Sequence, residues 1–123
     1  MTDTNKIILQ KANEAVSKGD YEEFLQYCTD DTKWIFVGDQ MLNGKEAVRK
    51  WMYNEYIEPP QNDVENLIAE NDYLTAIGKI TVMTENGKSI TYSYCDVWKF
   101  RDGKMAELMA FVIEHEDLKD HKQ

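Results

Sequence analysis

The sequence is poor in basic charge, in cysteine and in long apolar runs, and each shortage excludes a class of function. Its 123 residues carry 14 lysines and arginines against 23 aspartates and glutamates, a net charge of −9. A nucleic-acid binder needs a basic surface to contact phosphates, so no nucleic-acid partner is expected. The two cysteines, Cys28 and Cys95, lie far apart with no metal-like spacing. They read as free thiols in a reducing compartment, and the expected location is cytoplasmic. No apolar run approaches the length of a membrane span, so no membrane partner is expected. The start MTDTNKIILQ lacks the basic, apolar and cleavage regions of a signal peptide. His115 and His121 sit in a charged tail without Cys or acid spacing resembling a metal site, and read as solvated. The six methionines are scattered as packing filler. Neither a metal nor a cofactor is expected.

What is present is a regular alternation of helical and strand patterns, of a length that suits one domain over residues 1–123. Asp3 or Thr4 can cap a first helix, with Ile8, Leu9, Ala12, Ala15 and Val16 at helical spacing and Gly19 as its end. Asp20 caps a second, short helix, with Glu23 at the capping-box position. TDDT reads as a loop and Lys33 to Val37 as a strand ending at Gly38-Asp39. Asn43 or Gly44 opens a third helix, in which Glu46 can answer Asn43, and Pro59-Pro60 stops it. Strands are expected over 64–69, 73–84, 89–100 and 105–113, with Asn86-Gly87 as a type I′ hairpin signal. The tail EHEDLKDHKQ reads as frayed, or helical for a turn. The order α-α-β-α-β-β-β-β predicts an α+β fold with helices on one face of an antiparallel sheet.

Within SYCDVWKF, Asp96 is a poor strand former on the same face as Tyr92, Tyr94, Trp98 and Phe100. A carboxylate among rings is costly unless paired, hydrogen-bonded or protonated. Taking Asn86-Gly87 as a two-residue turn sets Ile77 opposite Asp96 and makes Lys79 its diagonal neighbour. Lys79 then reads either as a pocket cation or as a snorkelling surface lysine. A three-residue loop at Arg101-Asp102-Gly103 sets Asp96 opposite Leu108, with Ala110 and Val112 on the same face. The other face then carries Ile80, Val82, Cys95, Val97, Met109, Phe111 and Ile113 with no helix to cover them. That row predicts a homodimer through the outer sheet face, burying Ile80, Val82, Val97, Met109 and Phe111. A two-residue second loop would flip the last strand instead.

Three stretches, ANEAVSKGDYEEFLQYCTDDTKWIF, LNGKEAVRKWM and DVWKFRDGKMAEL, resemble the nuclear transport factor 2 superfamily in its SnoaL-like and ketosteroid-isomerase-like branches. The resemblance covers nearly the whole chain. It implies a cone-shaped fold, with three N-terminal helices packed in a curved antiparallel sheet, a pocket at the open end and dimers through the outer face. Ketosteroid isomerases use a carboxylate base and an oxyanion hole made by a tyrosine and a protonated acid. On this chain the acid falls on Asp96, the base on Phe36 and the tyrosine on Ala12. The acid–base aspartate of SnoaL-type cyclases falls near Ala110. The second acid of limonene-epoxide-hydrolase-like members has no counterpart between Leu108 and Val112. Without a base, steroid isomerisation has no proton acceptor.

The resulting expectation is a small-molecule pocket for an apolar, ring-containing ligand with a polar handle. Its candidate lining residues are Trp34, Phe36, Trp51, Tyr56, Lys79, Tyr94, Asp96, Trp98, Leu108 and Val112, and Asp96 is the candidate catalytic residue. Asp39 reads as a turn residue that could bring a stray base to the pocket mouth, and Tyr53 as an exposed helix residue. Two classes stay open. One is an isomerase, cyclase or lyase using Asp96 as acid, with Lys79 as a candidate second group; the other is a non-catalytic binding or stress-associated dimeric module in which Asp96 is structural.

Overall fold

The computed structural model describes residues 2–114. The expectations for the tail beyond Glu114, with His115 and His121, lie outside the described residues. The chain runs α1 (Thr2–Ser17), α2 (Tyr21–Gln26), β1 (Cys28–Phe36), β2 (Gln40–Asn43), α3 (Lys45–Glu55), β3 (Gln61–Glu70), β4 (Tyr73–Met83), β5 (Ser89–Arg101) and β6 (Lys104–Glu114). The six strands form one sheet in the order β2-β1-β6-β5-β4-β3. β1 runs parallel to β6, and every other neighbouring pair is antiparallel. The sheet curves without closing around the three helices, the cone predicted from the sequence. No helix among the described residues is long and apolar enough to cross a membrane.

The helices form where their signals stand. α1 starts at Thr2, so Asp3 and Thr4 lie inside its first turn rather than ahead of it. Its Leu9, Ala12 and Ala15 are buried at helical spacing. The Asp20 carboxylate caps α2 by accepting from the Glu23 amide at 3.1 Å. α3 has Gly44 as its N-cap with no side-chain cap bond, because Asn43 is taken into β2. Val48 and Met52 bury its inner side. TDDT is strand rather than loop: the Thr32 hydroxyl, fully buried, donates to the Met105 carbonyl at 3.2 Å and holds β1 on β6. β2, missing from the sequence reading, is a four-residue edge strand with little apolar alternation.

Both hairpin registers differ from expectation. The β4–β5 loop has three residues, Glu85-Asn86-Gly87. The Thr84 amide donates to Lys88 O at 2.7 Å and the Gly87 amide to Thr84 O at 3.0 Å. A type I′ turn needs positive φ at both central residues. Here Gly87 has φ +78 and Asn86 is not among the positive-φ residues. The strands therefore slip by one, and Ile77 pairs with Cys95, Ala76 with Asp96 and Lys79 with Ser93. The β5–β6 loop has two residues, Asp102 (φ 52) and Gly103 (φ 78), both left-handed. That change alone would flip β6, but the register shifts where Met105 pairs with Phe100 and Glu107 with Lys99. Ala106 is the extra residue of this bulge and restores the parity. Asp96 pairs with Ala110, not Leu108, while Leu108, Ala110 and Val112 stay on its face.

The inner face of β4 thus carries Leu74, Ala76, Gly78, Ile80 and Val82, not Ile77, Lys79 and Thr81. Ile80 and Val82 face inward and leave the row expected at the outer face. That row retains Val97, Met109, Phe111 and Ile113, the last three exposed. Lys79 is exposed on the outer face, because one residue of slip turns every side chain of a strand over.

Candidate functional site

Between the helices and the inner sheet face lies a cavity of about 360 Å³, a size that suits a small organic molecule. β1 supplies Trp34 and Phe36, α3 supplies Trp51 and Met52, and Tyr56 follows α3. β5 supplies Tyr92, Tyr94, Asp96 and Trp98, and β6 supplies Leu108, Ala110 and Val112. The rings are in mutual contact. Trp34 stands edge-on to Phe24, Trp51 and Trp98 at centroid distances of 5.8, 6.0 and 5.8 Å. Phe36 lies 4.9 Å and Tyr56 5.3 Å from Trp51. Edge-on and tilted contacts at these distances are the favoured aromatic geometries, and they make this side of the wall apolar.

Of the ten candidate lining residues, nine meet around this space and Lys79 does not. Lys79 is on the far side of the sheet, paired with Ser93, for the register reason given above. The sequence reading missed Asn13 and Val16 of α1, Asn62 of β3, and Ile80 and Val82 of β4. The last two follow from the hairpin slip. Asn62 lies in a part of β3 that precedes the expected strand, and its pairing with Ile80 is what carries it to the pocket. Asp39 and Glu55 are exposed side chains that also border the cavity. Tyr53 is exposed on α3 as expected, its hydroxyl donating to Glu22 at 3.1 Å.

Asp96 is the charged group set into the wall. Its two cross-strand neighbours are Ala76 and Ala110, both buried and small. Their short side chains leave the space above the carboxyl open to the cavity. Burial, with no ion pair or hydrogen bond to offset it among the described residues, raises its pKa to about 7. Burial also raises the Tyr56 and Tyr94 phenols, and the charge of Asp96 raises them further, so both stay neutral. The Tyr94 hydroxyl donates to Asn62 Oδ1 at 2.5 Å. The indole N–H groups of Trp34 and Trp51 are buried without a hydrogen-bond partner among the described residues. Among the described residues, no group of three or more His, Cys, Asp or Glu side chains could hold a metal ion.

The family resemblance read from the sequence is decided by a match to the SnoaL-like domain over residues 9–108. The chain belongs to the SnoaL-like domain family. Solved structures agree on the fold. An NTF2-like protein of unknown function from Cytophaga hutchinsonii ATCC 33406 is 23% identical, with a TM-score of 0.71 over 92% of this chain and 99% of that one. An NTF2-like protein of unknown function from Burkholderia pseudomallei K96243 is 18% identical, with a TM-score of 0.78 over 87% and 88%. TerC, co-crystallised with polyporic acid, is 15% identical, with a TM-score of 0.76 over 88% and 90%. No curated protein matches the sequence. In this SnoaL-like chain, the positions where the isomerase resemblance puts a base and a tyrosine hold Phe36, a wall residue, and Ala12, on the buried side of α1. The cyclase position holds Ala110, beside Asp96.

Proposed function

We propose that the protein binds a small, largely apolar, ring-containing ligand in this cavity, with Asp96 as its polar anchor. The observation that carries the reading is the Asp96 carboxyl, open to an aromatic-walled cavity between Ala76 and Ala110 and without a partner among the described residues. A buried polar group left unpaired costs stability, and sites that retain one commonly do so for a ligand. A relative of the same fold co-crystallised with polyporic acid supports a pocket of this kind. The reading stops at binding. Phe36 and Ala110 accept no proton, so neither resemblance supplies a base here. We also propose a homodimer through the outer sheet face, in a cytoplasmic setting, supported by the exposed apolar row Met109, Phe111 and Ile113.

The test uses the three tryptophans. Trp34, Trp51 and Trp98 are all the tryptophans of the chain and all line the cavity. Titration with naphthalen-2-ylmethanol should move their indole N–H signals in an NMR spectrum saturably, and Asp96→Ala should weaken binding. Signals that stay still at saturating probe would refute the reading.

A further inference from the structure

The charges around the cavity are all of one sign. Asp39 and Glu55 stand at its exposed border and Asp96 inside, and no Lys, Arg or His lines it among the described residues. The remaining titratable groups lining the cavity are the phenols of Tyr56, Tyr92 and Tyr94, and burial pushes those of Tyr56 and Tyr94 up, away from ionisation. The one lysine that the sequence offered as a counter-charge, Lys79, is across the sheet. The wall of the cavity that Asp96 enters is built largely from the ring cluster of Trp34, Phe36, Trp51, Tyr56 and Trp98.

We infer that the ligand is cationic: a ring-bearing organic ammonium ion whose charged head lies against the Asp96 carboxylate within the aromatic wall. The inference rests on reading the cavity as a ligand site and names the chemical class that the site selects. Aromatic faces attract a desolvated cation, and the attraction is largest where water is excluded. The carboxylate supplies the opposite charge, and an N–H of the ammonium can donate to it. A carboxylate ligand would instead meet the Asp96 carboxyl and two acids at the border with no cation among the lining side chains, a repulsion strongest at Asp96, where the apolar rings lower the local dielectric. A neutral ligand would be tolerated but would leave the acid border without purpose. The surplus of acidic charge over the whole chain, net −9, favours approach of a cation.

The protonation of Asp96 makes the inference directional. Near neutrality the free protein holds the carboxyl partly protonated, with a pKa of about 7. An ammonium head needs the ionised form and displaces that proton. Its affinity should therefore rise as pH increases through about 7. A neutral hydroxyl or carbonyl group accepting a hydrogen bond from the protonated acid should bind less well over the same interval.

Three probes with one ring system separate the possibilities: naphthalen-2-ylmethylamine, naphthalen-2-ylmethanol and 2-naphthoate, titrated into the whole protein while the indole signals are followed. At about pH 8 the amine should bind about tenfold tighter than the alcohol, and the naphthoate should bind more weakly than either. Asp96→Asn should remove the preference of the amine over the alcohol, and indole N–H signals of the free variant at their wild-type positions report that the pocket is intact. An alcohol that matches or beats the amine in the wild-type protein overturns the cationic class and leaves the pocket reading standing. If none of the three moves the indole signals, the pocket reading itself falls, and this inference with it.

Discussion

Gly78 lies directly opposite Tyr94 across β4 and β5, and the tyrosine hydroxyl donates to Asn62 Oδ1 on β3. The missing side chain lets three strands close up. A Cβ at Gly78 would stand 2.2 Å from the Asp63 carbonyl oxygen and 3.0 Å from Tyr94 Oη. β3 shifts register beside this point, between Val64 and Asn66, bringing its backbone onto the glycine.

Gly78→Ala should therefore be destabilising, although alanine is favoured over glycine in most strands. The first contact is with backbone, which cannot swing aside, so β3 must move. The expected cost is about 1–3 kcal/mol, the usual range for overpacking. Urea denaturation checks it. A variant as stable as the wild type would mean that β3 does not approach β4 as described.

Lys79→Met should do almost nothing. Its ammonium is exposed on the outer face, opposite Ser93, and surface changes of this kind stay within about 0.5 kcal/mol. The pH dependence of stability should also be unchanged, because Lys79 has no contact with Asp96. A loss of several kcal/mol would restore the lysine as the partner of the acid.

These two residues also mark how far the sequence could be read. The face of β5 was legible because alternation within one strand does not depend on its neighbours: Tyr94, Asp96 and Trp98 share a side whatever the loop lengths. The face of β4 was not, because it depends on whether Asn86-Gly87 is closed as two residues or three. The dipeptide favours two on local grounds, yet Asn86 keeps its ordinary backbone and Gly87 alone turns left-handed. The second loop was also misjudged, and the bulge at Ala106 cancelled the error. Both Met105 and Ala106 are buried in succession, a break in alternation that only packing reveals. β2 carries so little apolar pattern that it forms as an edge strand through pairing with β1 rather than through its own preference.

The outer face gives a prediction about assembly. Met109, Phe111 and Ile113 project from β6 on the side away from the helices, with 43%, 42% and 71% of their surface exposed. If this row joins two copies, Phe111→Glu places a charge at the centre of a self-complementary contact. Light scattering should then report a dimer for the wild type at micromolar concentration and a monomer for the variant. The tryptophan signals from the cavity should not change, since the substitution faces the other way. A wild-type monomer would exclude the dimer.

The strongest prediction concerns the pH dependence that Asp96 imposes. Its folded-state pKa is raised to about 7 by burial, whereas an unfolded aspartate titrates near about 3.9. Between those values the folded chain holds a proton that the unfolded chain has released. Stability must then fall as pH rises through this interval: the contribution is fully present below about pH 4 and lost above about pH 7. Three pKa units correspond to about 4 kcal/mol, and water entering the cavity would reduce the loss toward about 2 kcal/mol. Asp96→Asn keeps a hydrogen-bonding group of similar shape and has no charge to bury. Relative to the wild type it should be near neutral at about pH 4 and more stable by about 2–4 kcal/mol at about pH 8. The measurement is the difference between two urea midpoints at each pH, which removes every group that titrates alike in both proteins. Parallel pH profiles would show that the carboxyl is already ionised and paired in the folded protein.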